Sequence, residues 1–474
     1  MIKFGTGGWR AIIGDGFTKT NIQRLSKGLA MKMKDEGVSD KGIVLGYDRR
    51  FLSKEAMKWA GEVFASEGIK SYLVNRSSPT PLIMFYVMKH KFYYGMMITA
   101  SHNPAIYNGI KVFNYGGRDA DEFQTKEIEK YIENIKESEV QGMDYDTGIK
   151  KGILVEINPF NEYIDNILNG VEVDAIRNKG LRIALDPMYG VSETSLKTIL
   201  LTTRCDVQTI HERHDTLFGG KLPSPSANTL KSLQNYVIDY KKDIGIATDG
   251  DADRIGIIDD TGRFLHPNEI LVILYYYLVK HKGWQGAAVR NISTTHMLDK
   301  VAESFGEKCY QVPVGFKYIS SKMEEVNAII GGESSGGMAV RGHIKGKDGI
   351  YAAILLVEML AVMDQKLSEI IQRIEKEYGR YYMEERDYSF TTTKKEEIYQ
   401  IILVDKLIPE LPFEIEKISY LDGCKIYFKN GGLVVTRFSG TEPLLRIFCE
   451  MPDPEEVKLV CSIFEDFLEL ENNK

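Results

Sequence analysis

The sequence predicts an α/β protein of three similar mixed α/β units, followed by a separate small α+β domain at the C-terminus. Three features point this way. Helix-like stretches alternate with short apolar runs through most of the chain, the mark of α/β layers. Apolar runs at 181–186 and 286–290 each pass into a loop bearing Gly, Ser or Thr and then into a helical pattern. Beyond Gly379-Arg380-Tyr381-Tyr382 the pattern changes to closely spaced apolar strands and one closing helix.

Taken in order, the first unit alternates helical patterns over 19–36, 53–67 and 121–138 with apolar runs over 43–46 and 71–74. Its boundary falls in the tract 147–158, giving a first domain of 1–152. The second unit contains the 181–186 run and ends in the tract 260–268, giving 153–262. The third contains the 286–290 run and spans 263–378. The last domain, 379–474, holds runs over 433–436 and 445–448 and a helix over 454–470.

Composition limits the function. The 474 residues suit three or four domains, and a hydrophobic share of 43% can fill their cores. No apolar run reaches the roughly 20 residues of a membrane span. The chain starts directly in a candidate motif, so no secretory leader is expected and a cytoplasmic location is. Five scattered cysteines with no metal-ligand spacing are expected to be reduced thiols. A net charge of −7 argues against general nucleic-acid binding.

Four loops carry chemistry. In Thr99-Ala-Ser-His-Asn-Pro104, Met96, Met97 and Ile98 lead in and Asn103-Pro104 stops the segment. Ser101 is thereby set on a constrained loop, where a hydroxyl can act as a nucleophile or carry a phosphoryl group. His102 and Lys111 are at hand to handle protons or negative charge. Thr248-Asp-Gly-Asp-Ala-Asp-Arg254 places Asp249, Asp251 and Asp253 at alternate positions around one glycine. An all-oxygen set favours Mg²⁺ over zinc, and Mg²⁺ commonly completes its shell with a phosphate. An EF-hand start fits less well, because position twelve is Asp260 and position six is not glycine. Gly331-Gly-Glu-Ser-Ser-Gly-Gly337 lets backbone approach a ligand closely. If it runs extended, Glu333 and Ser335 share one side, where a carboxylate and a hydroxyl suit a sugar diol. Arg437-Phe-Ser-Gly-Thr-Glu-Pro-Leu-Leu-Arg446 flanks a Ser-Gly-Thr turn with arginines, a composition able to cradle phosphate. Each loop alone is compatible with an ordinary turn.

Together, and in this order, the four loops resemble those of the α-D-phosphohexomutase family, as does the opening Phe4-Gly-Thr-Gly-Gly-Trp-Arg10. The resemblance runs nearly the whole length. It implies four domains around a central active-site cleft, the fourth lid-like. It implies interconversion of a hexose 1-phosphate and a hexose 6-phosphate through a phosphoserine and a hexose 1,6-bisphosphate, which also serves as activator. Ser101 would be that phosphoserine, and Asp249, Asp251 and Asp253, with the Ser101 phosphate, would hold Mg²⁺. Arg10, His102 and Lys111 would lie at the reacting group. Glu333 and Ser335 would contact sugar hydroxyls, with Arg254 and Lys347 also at the substrate. Arg437, Ser439, Gly440, Thr441 and Arg446 would hold the distal phosphate. A monomer or homodimer is expected.

One departure narrows the substrate. Many phosphomannomutase/phosphoglucomutases and phosphoglucosamine mutases carry histidine where this chain has Gly337. Gly332-Glu-Ser-Ser-Gly-Gly337 is closer to the phosphoglucomutase form, with Ser334 in place of a second Glu. Phosphoglucomutase is therefore the leading expectation, ahead of phosphomannomutase and then phosphoglucosamine mutase. From other classes, a metal-dependent serine phosphatase would leave the sugar loop and distal arginines idle. An inactive sugar-phosphate binding protein would not need both Ser101 and three aspartates.

Overall fold

Short β-branched runs pair into four sheets in the computed structural model, which describes residues 2–5, 7–438 and 444–470. The first sheet holds β1 (Trp9–Ile12), β2 (Ile43–Tyr47), β3 (Ser71–Val74), β4 (Tyr94–Ile98), β5 (Tyr107–Asn114), β6 (Arg118–Asp119) and β7 (Leu154–Ile157). Their order is β1-β5-β4-β2-β3-β7, with β6 beside β5. The strands β4, β2, β3 and β7 run parallel, and β5 returns antiparallel to β4. Both faces are covered by helices, so β2 and β4 are buried at every position and read as unbroken apolar runs.

The second sheet comprises β8 (Arg182–Asp186), β9 (Asp206–Thr209), β10 (Ile244–Thr248), β11 (Ile255–Ile258) and β12 (Phe264–Leu265), in the order β12-β11-β10-β8-β9. The third comprises β13 (Ala288–Asn291), β14 (Cys309–Val312), β15 (Ile330–Gly332) and β16 (Met338–Val340), in the order β14-β13-β15-β16. The fourth is wholly antiparallel: β17 (Tyr382–Ser389), β18 (Ile415–Ser419), β19 (Cys424–Phe428), β20 (Leu433–Phe438) and β21 (Leu444–Met451), in the order β17-β21-β20-β19-β18.

Two expected domain limits cut through paired strands. β7 lies beyond residue 152 yet pairs with β3, and β12 lies beyond 262 yet pairs with β11. Both are edge strands, which satisfy their backbone groups on the sheet they leave rather than the one that follows. The helix expected over 121–138 stops at Glu133, and 137–139 forms a separate 3₁₀ turn.

The three mixed sheets share one device. In each, a buried parallel strand passes through a polar loop into an antiparallel partner. β4 leads to the Ser101 loop and β5, β10 to the aspartate loop and β11, and β15 to the Glu333 loop and β16. The fourth sheet's hairpin β20–β21 brackets residues 439–443 in the same way. Each loop thus springs from the carboxyl end of a central strand, where open α/β sheets bind ligands.

One apolar core runs beneath the first three sheets. Helices Pro267–Lys280 and Gly349–Met363 are apolar on nearly all sides and sit within it. The last domain has its own core and docks on the third through Ile292, Leu433, Val435 and Phe448. Lys425 Nζ seals that contact by donating to Ile292 O (2.6 Å) and Gln311 Oε1 (2.9 Å). Among the described residues no helix is long and apolar enough to cross a membrane.

Gly109 marks the tightest crossing under the Ser101 loop. A Cβ there would strike Trp9 O and come within 2.9 Å of Thr99 O. Neither backbone can give way, so Gly109→Ala should cost about 1–3 kcal/mol of stability, measured by urea unfolding. A wild-type midpoint would contradict the packing.

Candidate active site

Ser101 is held in a left-handed conformation (φ 52°), which L-residues adopt at a cost of about 1–2 kcal/mol. The surroundings impose it. Arg50 spans the loop from behind: Nη1 donates to Pro104 O (2.9 Å) and Tyr107 O (3.0 Å), and Nη2 donates to Ser101 O (2.6 Å) and Asn103 O (2.7 Å). Asp48 is wholly buried and accepts from Thr99 Oγ1 (2.6 Å), Ser53 Oγ (2.8 Å) and the Arg50 amide (2.9 Å). Thr99 Oγ1 in turn receives the Ser101 amide (2.8 Å). Asp48 and Arg50 are not among the residues expected from sequence. Their signal is the charged triplet Asp48-Arg49-Arg50 directly after the apolar β2.

Ser101 Oγ donates to Asp249 Oδ2 at 2.7 Å, which joins the first loop to the second. Oxygens of Asp249, Asp251 and Asp253 lie within 4.8 Å of one another, and all three side chains are buried. Thr80, another residue not foreseen, donates to Asp251 Oδ2 (2.7 Å). Lys111 Nζ reaches both Asp251 Oδ2 (2.7 Å) and Asp253 Oδ2 (2.6 Å), and Lys347 Nζ is 3.2 Å from Asp253 Oδ2. Arg254 Nε lies 3.9 Å from Asp253 Oδ1.

Charge is unevenly settled. Burial, then the fields of Asp251 and Asp253, push the Asp249 carboxyl well above its usual range. Burial acts the same way on Asp251 and Asp253, but Lys111, joined by Lys347 and Arg254 at Asp253, outweighs it and holds both below the usual carboxylate range. Lys111 is kept cationic by the same pairs despite its burial. Burial together with Arg254 and Arg10 drives His102 well below ordinary imidazole values, leaving a neutral ring whose Nδ1 is 3.3 Å from Ser101 Oγ. Arg10 Nη1 donates to Asn103 Oδ1 (2.5 Å) at the same loop.

The donor set fits Mg²⁺. It is all oxygen, and Asp251 Oδ1 and Asp253 Oδ1 are buried with no hydrogen-bond partner among the described residues.

The third loop closes as a turn rather than running extended. The Gly336 amide donates to Glu333 O (3.1 Å), and the Glu333 amide to Gly337 O (3.0 Å). Glu333 is therefore buried while Ser335 is exposed, so the two are separated by depth. Glu333 Oε1 accepts from the Gly315 amide (3.3 Å) and Asn291 Nδ2 (3.4 Å), neither foreseen from sequence. An isolated bridge between Arg254 and Gly337 ties this loop to the aspartate loop. A Cβ at Gly337 would run into the Lys347 stem, which accounts for glycine at this position.

Arg437 and Arg446 stand directly opposite on β20 and β21. Like charges so placed repel. Carboxylates offset them: Arg437 Nε donates to Asp422 Oδ2 (2.9 Å), and Arg446 Nε lies 2.6 Å from Asp387 Oδ1 and 2.8 Å from Glu385 Oε1. Ser439, Gly440 and Thr441, expected in the same cradle, lie outside the described residues.

Isothermal titration with MgCl₂ tests the second loop. The wild-type chain should bind the ion, and Asp251→Asn should lose most of that binding, because one of three carboxylates becomes neutral. Equal binding by both would make the trio a structural turn.

Family models match the chain from end to end. They are the phosphoglucomutase/phosphomannomutase alpha/beta/alpha domains I (residues 1–139), II (161–262) and III (266–378), and the C-terminal domain of the same family (402–466). A Thermococcus kodakarensis protein named phosphoglucomutase/phosphomannomutase is 31% identical over 458 residues, 96% of each chain. A Sulfurisphaera tokodaii phosphoglucosamine/phosphogalactosamine mutase is 29% identical, covering 95% of each. A crystal structure from Thermus thermophilus carrying a phosphomannomutase name superposes with a TM-score of 0.86 at 28% identity over 99% of both chains. The open form of Paramecium parafusin shares the fold, with a TM-score of 0.83 at 22% identity over 98% of this chain and 94% of that one. The chain belongs to the α-D-phosphohexomutase family and is a phosphosugar mutase.

Proposed function

We propose that the chain is a phosphoglucomutase, interconverting glucose 1-phosphate and glucose 6-phosphate through phosphoserine 101 and glucose 1,6-bisphosphate. The observation that carries the mechanism is Ser101 Oγ set on Asp249 within the carboxylate trio. The phosphoryl group on Ser101 passes to the free sugar hydroxyl: its bond to Oγ breaks as the bond to the sugar oxygen forms. The bisphosphate then turns over, and its other phosphate returns to Ser101. Asp249, Asp251 and Asp253, with the Ser101 phosphate, would hold Mg²⁺, which when bound would supply neutralisation of the transferring oxygens. Arg10, His102 and Lys111 surround the point of transfer and handle the charge and the proton that move with it.

Glu333 and Ser335 read sugar hydroxyls, assisted by Arg254 and Lys347. Arg437 and Arg446, with Ser439, Gly440 and Thr441, take the distal phosphate in either orientation. The glycine at 337, against which the Lys347 stem packs, supports the glucose assignment, since the loop resembles the phosphoglucomutase form at this position. Phosphomannomutase is the runner-up, followed by phosphoglucosamine mutase, the name borne by a Ruminiclostridium cellulolyticum relative at 29% identity.

A coupled assay with glucose, mannose and glucosamine 1-phosphates decides. Glucose 1-phosphate should give the highest kcat/KM, and another sugar ahead by more than about tenfold would overturn the assignment. Ser101→Ala should keep the fold and cut turnover by about 10³-fold or more, with the phosphate adduct on the intact mass lost. Release of inorganic phosphate in place of the isomer would point to a phosphatase.

Arg50→Lys keeps the charge but cannot span four carbonyls. Turnover should fall by about 10²-fold with KM little changed, because the nucleophile is displaced while the substrate contacts remain. Wild-type kcat would show that the loop holds itself.

A further inference from the structure

We infer that Asp422 is a positioning residue that fastens the last domain onto the sugar-reading loop and aims Arg437 in the same act. This rests on the reading of Arg437 as a distal-phosphate ligand and of Glu333 as a sugar ligand. Asp422 lies in the turn between β18 and β19, outside the four loops that carry the chemistry. Its Oδ2 receives two donors from two domains: Arg437 Nε at 2.9 Å, and the Val314 amide of the third domain at 2.8 Å. The next amide along, Gly315, donates to Glu333 Oε1 (3.3 Å). One carboxylate oxygen thus stands two hydrogen bonds from the sugar-loop carboxylate on one side and touches the phosphate arginine on the other.

The turn is built to hold this position. Gly423 has φ 92°, and a Cβ on it would strike Thr436 O and come within 3.1 Å of Arg437 Cα. The turn therefore lies directly on the backbone of the arginine whose side chain Asp422 grips. Val314 also packs against the Ile292, Leu433, Val435 and Phe448 contact between the two domains, so the polar tie sits at the edge of an apolar one. A guanidinium on a solvated strand samples many rotamers, and fixing it beforehand reduces the ordering cost when a phosphate arrives. Fixing it from the oxygen that also holds Val314 makes the arginine's aim depend on the docking of the domain. A lone surface pair on β20 would give no such dependence.

The test uses the full chain and the hexose 1-phosphate it turns over fastest. Asp422→Ala is made alone and in an Arg437→Ala background, and exchange of the Val314 amide with deuterium is followed in each. Asp422→Ala alone should raise KM by about tenfold and leave kcat within about threefold, whereas in the Arg437→Ala background it should change KM by less than about twofold. Exchange at Val314 should quicken in Asp422→Ala and stay slow in Arg437→Ala. Equal KM factors in both backgrounds, an unchanged KM, or unchanged exchange at Val314 would overturn the inference. Where Asp422→Ala is too unstable to assay, Asp422→Asn carries the test. Its oxygen still holds Val314 while the charge on Arg437 goes unmatched, so exchange stays slow and KM rises only when Arg437 is present; a rise without Arg437 would overturn it. If a sugar other than glucose proves fastest, the substrate assignment falls and the exchange measurement still reads the fastening.

Discussion

Three carboxylates buried on one short turn are the constraint that the other parts of this molecule answer. Isolated, each would cost several kcal/mol to bury. Two unit charges about 3 Å apart in an effective dielectric near 20 attract by about 5 kcal/mol, and two like charges about 5 Å apart repel by about 3 kcal/mol. Lys111, shared between Asp251 and Asp253, therefore outweighs the repulsion between them. No lysine pairs with Asp249 among the described residues, and of the three its carboxyl is the one pushed upward, by burial and then by the fields of Asp251 and Asp253. The compensating cations come from different domains, Lys111 from β5 and Lys347 from the third unit. Bringing the domains together and balancing the turn are thus one requirement, and it delivers Ser101 to the oxygen that still lacks a cation.

The loops communicate in series. Ser101 touches Asp249, the aspartate loop bridges to Gly337, Glu333 accepts from Gly315, and the neighbouring Val314 donates to the Asp422 that grips Arg437. The later contacts run through the loop after edge strand β14 and the turn between β18 and β19, whereas the first two join hairpins that leave the carboxyl ends of central strands. A hairpin there has backbone groups free of the ladder at its tip, so it can bond to the next hairpin instead. The contacts form an open series from Ser101 to Arg437, so the loops proposed to meet the two ends of the substrate are held in one connected frame.

The loops are legible in the sequence because their chemistry is local: a serine before Asn-Pro, three aspartates around a glycine, a glutamate among glycines. The α/β plan is legible because its strands are short, apolar and separated by helical patterns. What sequence conceals is what depends on distant partners. Arg50 acts on carbonyls at Ser101, Asn103, Pro104 and Tyr107, and Thr80 on Asp251, each more than fifty positions away. The charged triplet at 48–50 marks a polar turn after β2 but does not name the distant carbonyls that Arg50 holds, and Thr80 carries no local mark at all. Limits at 152 and 262 miss β7 and β12 for the same reason, because a two- or four-residue edge strand is defined only by the strand it joins. An extended loop would place Glu333 and Ser335 together, and the turn at Gly336 (φ 93°) parts them.

Gly337 shows how a single position reaches across the site. Its lack of a side chain reads first as a missing histidine. In the structure the space is taken by the Lys347 stem, and the ammonium beyond that stem lies on Asp253. A side chain at 337 would require the Lys347 stem to shift, and that stem carries one of the cations that hold Asp253 ionised. The glycine-rich loop and the aspartate turn therefore share one side chain: the lysine whose stem packs on Gly337 ends on Asp253, so the packing of one loop and the charge balance of the other are set together.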